Sequence, residues 1–296
     1  PVIACARPYP PQLQPPLSKG YEWARRLLYH RARLLCAQTE ETAHWMRAHF
    51  PKIPCVVLPN PVMLPLPSKP PVLDPGDLID PERKLLLTVG RLDPPKRQDL
   101  LIQAFADAVA SDWELVVLGE GPSRLELEAL TAKLGLAGRV RLPGFAGNLA
   151  DWYIRADLFV LPSSYEGFPN ALLEAAAHGT ASIAFDVKAG PRDILGADCE
   201  RGLLLPDDGT PLRHLADALK HLTQDHTARM ELAARRTFID LARSNCNVVE
   251  VHGQALRRAN NRFTRNRCTS AVALKDRRPH RWYREARRPR PRQKSR

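Results

Sequence analysis

From residue 85 onward the chain alternates short apolar runs with longer stretches of helical spacing. That rhythm restricts its fold more than any other feature. Residues 85–89 (Leu-Leu-Leu-Thr-Val) read as a buried strand and 98–109 as a helix. Strands over 115–118, 140–142 and 158–161 alternate with helices over 123–134 and 148–156. A helix after residue 170, strands over 181–184 and 202–205, and helices over 211–222 and 228–241 continue the series. Strands that alternate with helices are joined by right-handed crossovers, which give a parallel sheet covered on both faces. Ligands of such sheets bind at the carboxyl ends of the strands. The loops after Val89, Leu118, Leu142, Leu161 and Ala184 are therefore where a site is expected.

A chain of 296 residues has room for two domains. Residues 1–80 read as a partial α/β domain with strands over 2–5, 34–37 and 56–58. Its helices are expected over 21–33, with Trp23, Leu27 and Leu28 on one side, and over 39–50, opened by Thr39. Residues 8–16 hold five prolines and read as a loop. Residues 65–81 are rich in proline and have no period, so they read as a linker. Residues 81–241 form the main domain and 242–296 a basic tail. The net charge of +12 belongs to that tail: residues 257–296 carry 16 Lys and Arg against 2 Asp and Glu. A block of this kind reads as disordered and suits contact with RNA or anionic lipid. The body of the chain is near neutral, which argues against nucleic acid as its partner.

Six cysteines (Cys5, Cys36, Cys55, Cys199, Cys246 and Cys268) are scattered without the spacing of a zinc site. Their pattern argues against a disulfide framework and suits a reducing cytoplasm. There is no signal-peptide pattern and no apolar run long enough to span a bilayer. A chain that opens on Pro1 is expected to be a piece of a longer one.

The stretch 166–179 carries two carboxylates at fixed places. Glu166 falls in a strand-to-helix loop. Glu174 falls one turn inside the helix, among Ala171, Leu172, Leu173, Ala175, Ala176 and Ala177. A charge in such a stripe is costly unless something binds it, and sugar or ribose hydroxyls are natural partners. Asn170 reads as the N-cap, Gly179 as the stop, and the free N–H groups at the helix start suit a phosphate. The alternative is an ordinary loop acid at Glu166 and a carboxylate that merely favours the helix dipole at Glu174.

After Val89 comes Gly90-Arg91-Leu92-Asp93-Pro94-Pro95-Lys96. Gly90 permits close backbone approach, Arg91 can fork onto phosphate oxygens, and Lys96 adds a point charge. Two such cations neutralise a diphosphate leaving group without a metal; taken alone, both are equally well surface charges. Gly119-Glu120-Gly121-Pro122 reads as a tight turn that needs no function. Pro143-Gly144-Phe145 either lies against a nucleobase or is a plain turn. Gly190-Pro191-Arg192-Asp193 reads as a helix start. No Asp-X-Asp pair lies in any of these loops, and Asp207-Asp208 beside Gly209 reads as a turn. His178 is expected to complement the helix dipole rather than act as a catalyst.

As a set, these residues resemble the donor half of a retaining glycosyltransferase of family four. They run Val89-Gly90-Arg91-Leu92, Lys96, Asp99-Leu100-Leu101-Ile102, Gly119 to Pro122, Val140 to Gly144, Pro162-Ser163, the Glu166-to-Glu174 spacing, Gly190-Pro191 and Gly202-Leu203-Leu204. Val57 to Pro61 resembles the end of the family's first domain. The resemblance implies a GT-B fold: a doubly wound, parallel, Rossmann-like sheet as C-terminal domain beside a truncated N-terminal α/β domain. It implies that Arg91 and Lys96 hold the donor's diphosphate. Glu166 would then bind the transferred sugar and Glu174 the ribose. The backbone of Gly167, Phe168 and Ala171 would line sugar and phosphate, with Gly90 also in the donor site and Leu142 and Pro143 near the base.

Three departures stand out. The first domain is short, Arg7 stands where a histidine is frequent, and Pro95 and Asp193 replace the usual Gln and Glu. The expected function is a cytoplasmic glycosyltransferase that needs no metal or other cofactor. Its donor would be a nucleotide-sugar, a UDP-sugar in particular, and its acceptor a glycan or lipid-linked glycan of the cell envelope. Peripheral contact with the inner face of the plasma membrane goes with that acceptor. Two rivals remain: a nucleotide-sugar-binding module without turnover, and an RNA-binding protein driven by its tail.

Overall fold

The structure is a computed structural model that describes residues 2–6, 9–12, 19–196 and 200–234. The chain divides into a unit Pro1–Val251 and a unit His252–Arg296, and every described residue lies in the first. The expected basic tail, the helix beyond residue 234, Arg7, most of the proline-rich loop over 8–16, and Cys199, Cys246 and Cys268 lie outside the described residues.

The first part of the chain builds a three-stranded parallel sheet in the order β1-β2-β3. Its strands are β1 (Ile3–Ala6), β2 (Leu34–Ala37) and β3 (Cys55–Val57), with α1 (Lys19–Tyr29) and α2 (Glu40–His49) between them. Thr39 caps α2, its side chain accepting from the Thr42 N–H. Leu35, Ala43, Met46 and Phe50 form its small core. The apolar side expected for α1 is not buried: Trp23, Leu27 and Leu28 are all exposed.

Residues 65–81 are not a free linker, as their composition suggested. They contain a short helix, α3 (Pro75–Leu78), opened by Asp74. Leu66, Leu73 and Leu78 pack on the second domain, and Trp152 Nε1 donates to the Leu73 carbonyl at 3.0 Å. Asn148 holds Leu73 at both its N–H and its C=O. The apolar residues dock singly, so no period marks them.

The second sheet has six parallel strands in the order β6-β5-β4-β7-β8-β9. They are β4 (Lys84–Val89), β5 (Trp113–Leu118), β6 (Val140–Gly144), β7 (Leu158–Leu161), β8 (Ser182–Phe185) and β9 (Leu203–Leu205). Alternation along β4 sends Leu86 to one core and Leu85 and Leu87 to the other. On the first face lie α4 (Gln98–Ala108), α5 (Arg124–Lys133), α9 (Pro211–Gln224) and α10 (His226–Ala234). On the second lie α6 (Leu149–Arg155), α7 (Asn170–Ala177) and α8 (Pro191–Leu195). The doubly wound parallel sheet expected from the rhythm is thus present.

Pro143 and Gly144, expected in a loop, continue β6. Pro143 is tolerated because β6 is an edge strand, where a missing N–H leaves no ladder bond unmade, and the Gly144 carbonyl still accepts from the Gly119 N–H at 2.9 Å. Strand β5 starts two residues earlier than its apolar run, because the buried Glu114 is paired with Arg141 at 2.8 Å and Arg83 at 3.5 Å.

Candidate nucleotide-sugar site

Strands β4 and β7 are parallel neighbours in space but not consecutive in sequence, so the order in which strands are added reverses between them. This crossing opens a crevice at the strands' carboxyl ends. Two loops meet there. The one after β4 tightens into a 3-10 turn, Pro94–Lys96, and then passes through Arg97 with φ 50°. The one after β7 is stitched to it by the Ser164 N–H donating to the Pro95 carbonyl at 2.9 Å. Gln98, buried at the start of α4, donates back to the Arg91 carbonyl at 2.9 Å and holds the loop's entry.

The result is an ion pair between residues 70 apart: Lys96 Nζ lies 2.6 Å from Glu166 Oε1. Glu166 is only 7% exposed, so it is no ordinary loop acid. A carboxylate that dry is tenable because the ammonium accompanies it. Both line a cleft of about 700 Å³ with Asp93, Tyr165, Gly167 and Phe168. Asp93 Oδ1 and the Tyr165 hydroxyl are buried without a hydrogen-bond partner among the described residues. Polar atoms in that condition favour a ligand or water that completes them.

The first sheet supplies the opposite wall. Gln38 and Asn60 line the same cleft, and Gln38 Nε2 donates to Asn60 Oδ1. Asn60 Nδ2 in turn donates to Asn170 Oδ1 at 2.7 Å. Asn170 is therefore the first residue of α7 and not its N-cap, a position held by Pro169. Gln38 carried no signal in the sequence, and Asn60 only as part of the 57–61 resemblance, because its bond to Asn170 spans 110 residues.

Of the other expected site residues, Arg91 does not line the cleft. Its side chain is 71% exposed, with Nε 3.5 Å from Asp93 Oδ2. Gly90, Ala171 and Glu174 also lie outside its lining. Glu174 is half-buried, and Tyr153 Oη donates to its Oε2 at 3.0 Å. Burial raises the Glu174 carboxyl above its ordinary 4.5, and the Tyr153 bond opposes that rise. The Leu142 carbonyl accepts from Arg124 at 3.0 Å, and Arg124 is itself gripped by Glu120 and Glu128. His178 does not serve the helix dipole as a cation. Burial lowers its pKa and favours the neutral ring, whose Nδ1 donates to the Glu174 carbonyl at 2.7 Å.

The raised carboxyl has a consequence for stability. The folded state binds the Glu174 proton more tightly than the unfolded chain, so this stability is full below 4.5 and lost as pH rises through the folded value. Glu174→Gln keeps an acceptor for Tyr153 and removes the loss. Urea midpoints of the variant are expected to exceed the parent's at neutral pH and to converge with it below pH 4.5. A variant less stable than the parent at pH 7 contradicts this.

The fold is that of the GT-B glycosyltransferases. Sucrose-phosphate synthase from Thermosynechococcus elongatus superposes with a TM-score of 0.70 at 21% identity, covering 88% of this chain and 68% of that one. HepE from Anabaena, solved in complex with UDP, gives 0.68 at 18% identity, covering 86% and 72%. In sequence, residues 83–225 match the family described as Glycosyl transferases group 1. A curated relative from Campylobacter jejuni is 38% identical over 146 residues, 49% of this chain. It is N-acetylgalactosamine-N,N'-diacetylbacillosaminyl-diphospho-undecaprenol 4-alpha-N-acetylgalactosaminyltransferase, and the match covers 39% of its length. The chain thus spans about two fifths of that relative.

Proposed function

We propose that this chain is the donor-binding part of a retaining glycosyltransferase of family four that uses a UDP-sugar. The observation that carries this reading is the Lys96–Glu166 pair in the crevice where β4 and β7 part. In the reaction, charge grows on the leaving diphosphate as the bond to the sugar breaks. Lys96, with Arg91 swinging in from solvent, stabilises that charge. Glu166 leaves its lysine to accept hydroxyls of the transferred sugar and so fixes the sugar's orientation. Glu174 takes the ribose. Gly167, Phe168 and Ala171 present backbone to sugar and phosphate beside the start of α7, and Gly90 lets the donor approach β4 closely. Leu142 and Pro143 stand by the base.

The acceptor is a glycan or lipid-linked glycan, as the diphospho-undecaprenol in the relative's name supports. The UDP in the HepE structure supports the choice of nucleotide. Among the described residues no helix is long and apolar enough to cross a membrane. We place the protein in the cytoplasm, in peripheral contact with the membrane that carries the acceptor.

The test is incubation of the chain with UDP-sugars and a lipid-linked acceptor, with release of UDP and extension of the acceptor followed together. Transfer supports the reading. UDP-sugar binding with neither transfer nor hydrolysis supports a binding module without turnover, a second reading favoured by the short three-stranded sheet. The absence of any UDP-sugar binding removes both. The cations of the site are protein side chains, so EDTA is expected to leave UDP-sugar affinity unchanged. A loss that magnesium or manganese restores contradicts this.

A further inference from the structure

We propose that Cys5 and Cys36 form a reversible disulfide, making the first sheet a thiol-exchange site for small disulfides of the glutathione class. The two residues are 31 apart in sequence, and no spacing rule joins them. The parallel register of β1 on β2 does: Cys5 is the direct partner of Cys36. Side chains of directly paired residues leave the same face of a sheet, and a neighbouring-strand separation is within the Cα range a disulfide spans. Both are free thiols.

The third thiol of the sheet is placed differently. Cys55 is registered against Leu35, one position away, so it leaves the opposite face. There its Sγ lies 3.9 Å from Met46 Sδ. Among the described residues the pairing is therefore specific to Cys5 and Cys36.

Accessibility orders the steps. Cys5 is exposed on an edge strand, and Cys36 is buried. The Cys5 thiolate attacks one sulfur of the small disulfide; one thiol leaves, and a mixed disulfide remains on Cys5. Cys36 then loses its proton to solvent and attacks Cys5 Sγ, expelling the second thiol. One small disulfide is reduced to two thiols, and two cysteines are oxidised to one cystine. Burial pushes the Cys36 thiol up to about 12, so this second step is the slow one. A bond whose Cys5 end is exposed on an edge strand is open to reduction by the same pool. The bond would tie β1 to β2, two residues before Gln38 in the cleft wall.

The experiment is incubation of the full chain with oxidised glutathione, followed by peptide mapping without reductant. The expected product is a peptide joining Cys5 to Cys36, with the intact mass lower by two hydrogens, and dithiothreitol returns it. Cys36→Ser is expected to stop at one glutathione on Cys5. If that variant does not fold, Cys5→Ser, at an exposed position, serves instead and is expected to abolish the joined peptide. Cys55→Ser is expected to leave it intact. Glutathione retained on Cys5 of the parent, a bond to Cys55, or no bond at either residue overturns the proposal.

Discussion

Gly119→Ala is expected to be among the most destabilising single changes in this chain. Gly119 directly follows β5 with φ 140°, a conformation that side chains rarely adopt. A Cβ there would sit 1.9 Å from the Gly90 carbonyl oxygen and 2.9 Å from its carbon. Neither neighbour is free to yield. The Gly90 N–H donates to the Leu118 carbonyl at 2.9 Å, and the Gly119 N–H donates to the Gly144 carbonyl at 2.9 Å. The clash is with backbone, so relief means breaking the ends of three adjacent strands. Overpacking plus a disfavoured backbone conformation corresponds to a loss of roughly 3 kcal/mol or more. Gly135 is the control. It has φ 68° with nothing within 4 Å of its Cβ position, and Gly135→Ala is expected to cost about 1 kcal/mol. Urea unfolding of the two variants separates the strain from the clash. A Gly119→Ala variant within about 1 kcal/mol of Gly135→Ala refutes the close packing of the two loops.

That junction also shows where sequence reading stops. Gly119 to Pro122 reads as a turn without function, because nothing local says that the turn packs against Gly90. The strands themselves were legible. Leu85 to Val89 and Leu158 to Leu161 are continuous apolar runs bounded by turn residues, as strands buried on both faces must be. Their spatial order was not, since the neighbouring of β4 and β7 skips two strands. Site residues carried on one loop, such as Glu166, Gly167 and Phe168, came out together in one cleft. Arg91 and Lys96 share a loop and a charge, yet the 3-10 turn at Pro94 turns Lys96 inward and leaves Arg91 in solvent. Gln38, Asn60 and the Cys5–Cys36 pair depend on contacts across the first sheet and its neighbour. Residue types alone do not encode such contacts. The exposed face of α1 has the opposite lesson: helical spacing of Trp23, Leu27 and Leu28 predicts an apolar side, not its burial.

Lys96→Ala is expected to do two separable things. It leaves Glu166 in a dry position without its counter-charge, a change that costs roughly 3 kcal/mol of stability. On the proposed reading it also removes a cation from the donor's diphosphate. Charge-assisted hydrogen bonds contribute roughly 1.5–3 kcal/mol, so affinity for UDP is expected to fall about tenfold to a hundredfold. Adding Glu166→Gln to Lys96→Ala removes the stranded charge. The double variant is expected to regain most of the lost stability while UDP affinity stays low. Uridine, which has no phosphate, is expected to bind parent, single and double variants alike. Arg91→Ala gives the comparison free of folding effects. Its only ion pair among the described residues is a 3.5 Å contact on an exposed side chain, so stability is expected to change by less than about 0.5 kcal/mol. If Arg91 swings onto the donor, its loss weakens UDP by a factor similar to that of Lys96 and leaves uridine untouched; Arg91→Lys weakens it too, because an ammonium has no fork. The measurements are titrations of UDP and uridine beside urea unfolding of each variant. Equal losses for both ligands in the double variant point to a damaged fold and count against the assignment. Unchanged UDP affinity in both Lys96→Ala and Arg91→Ala removes the phosphate site from this loop altogether.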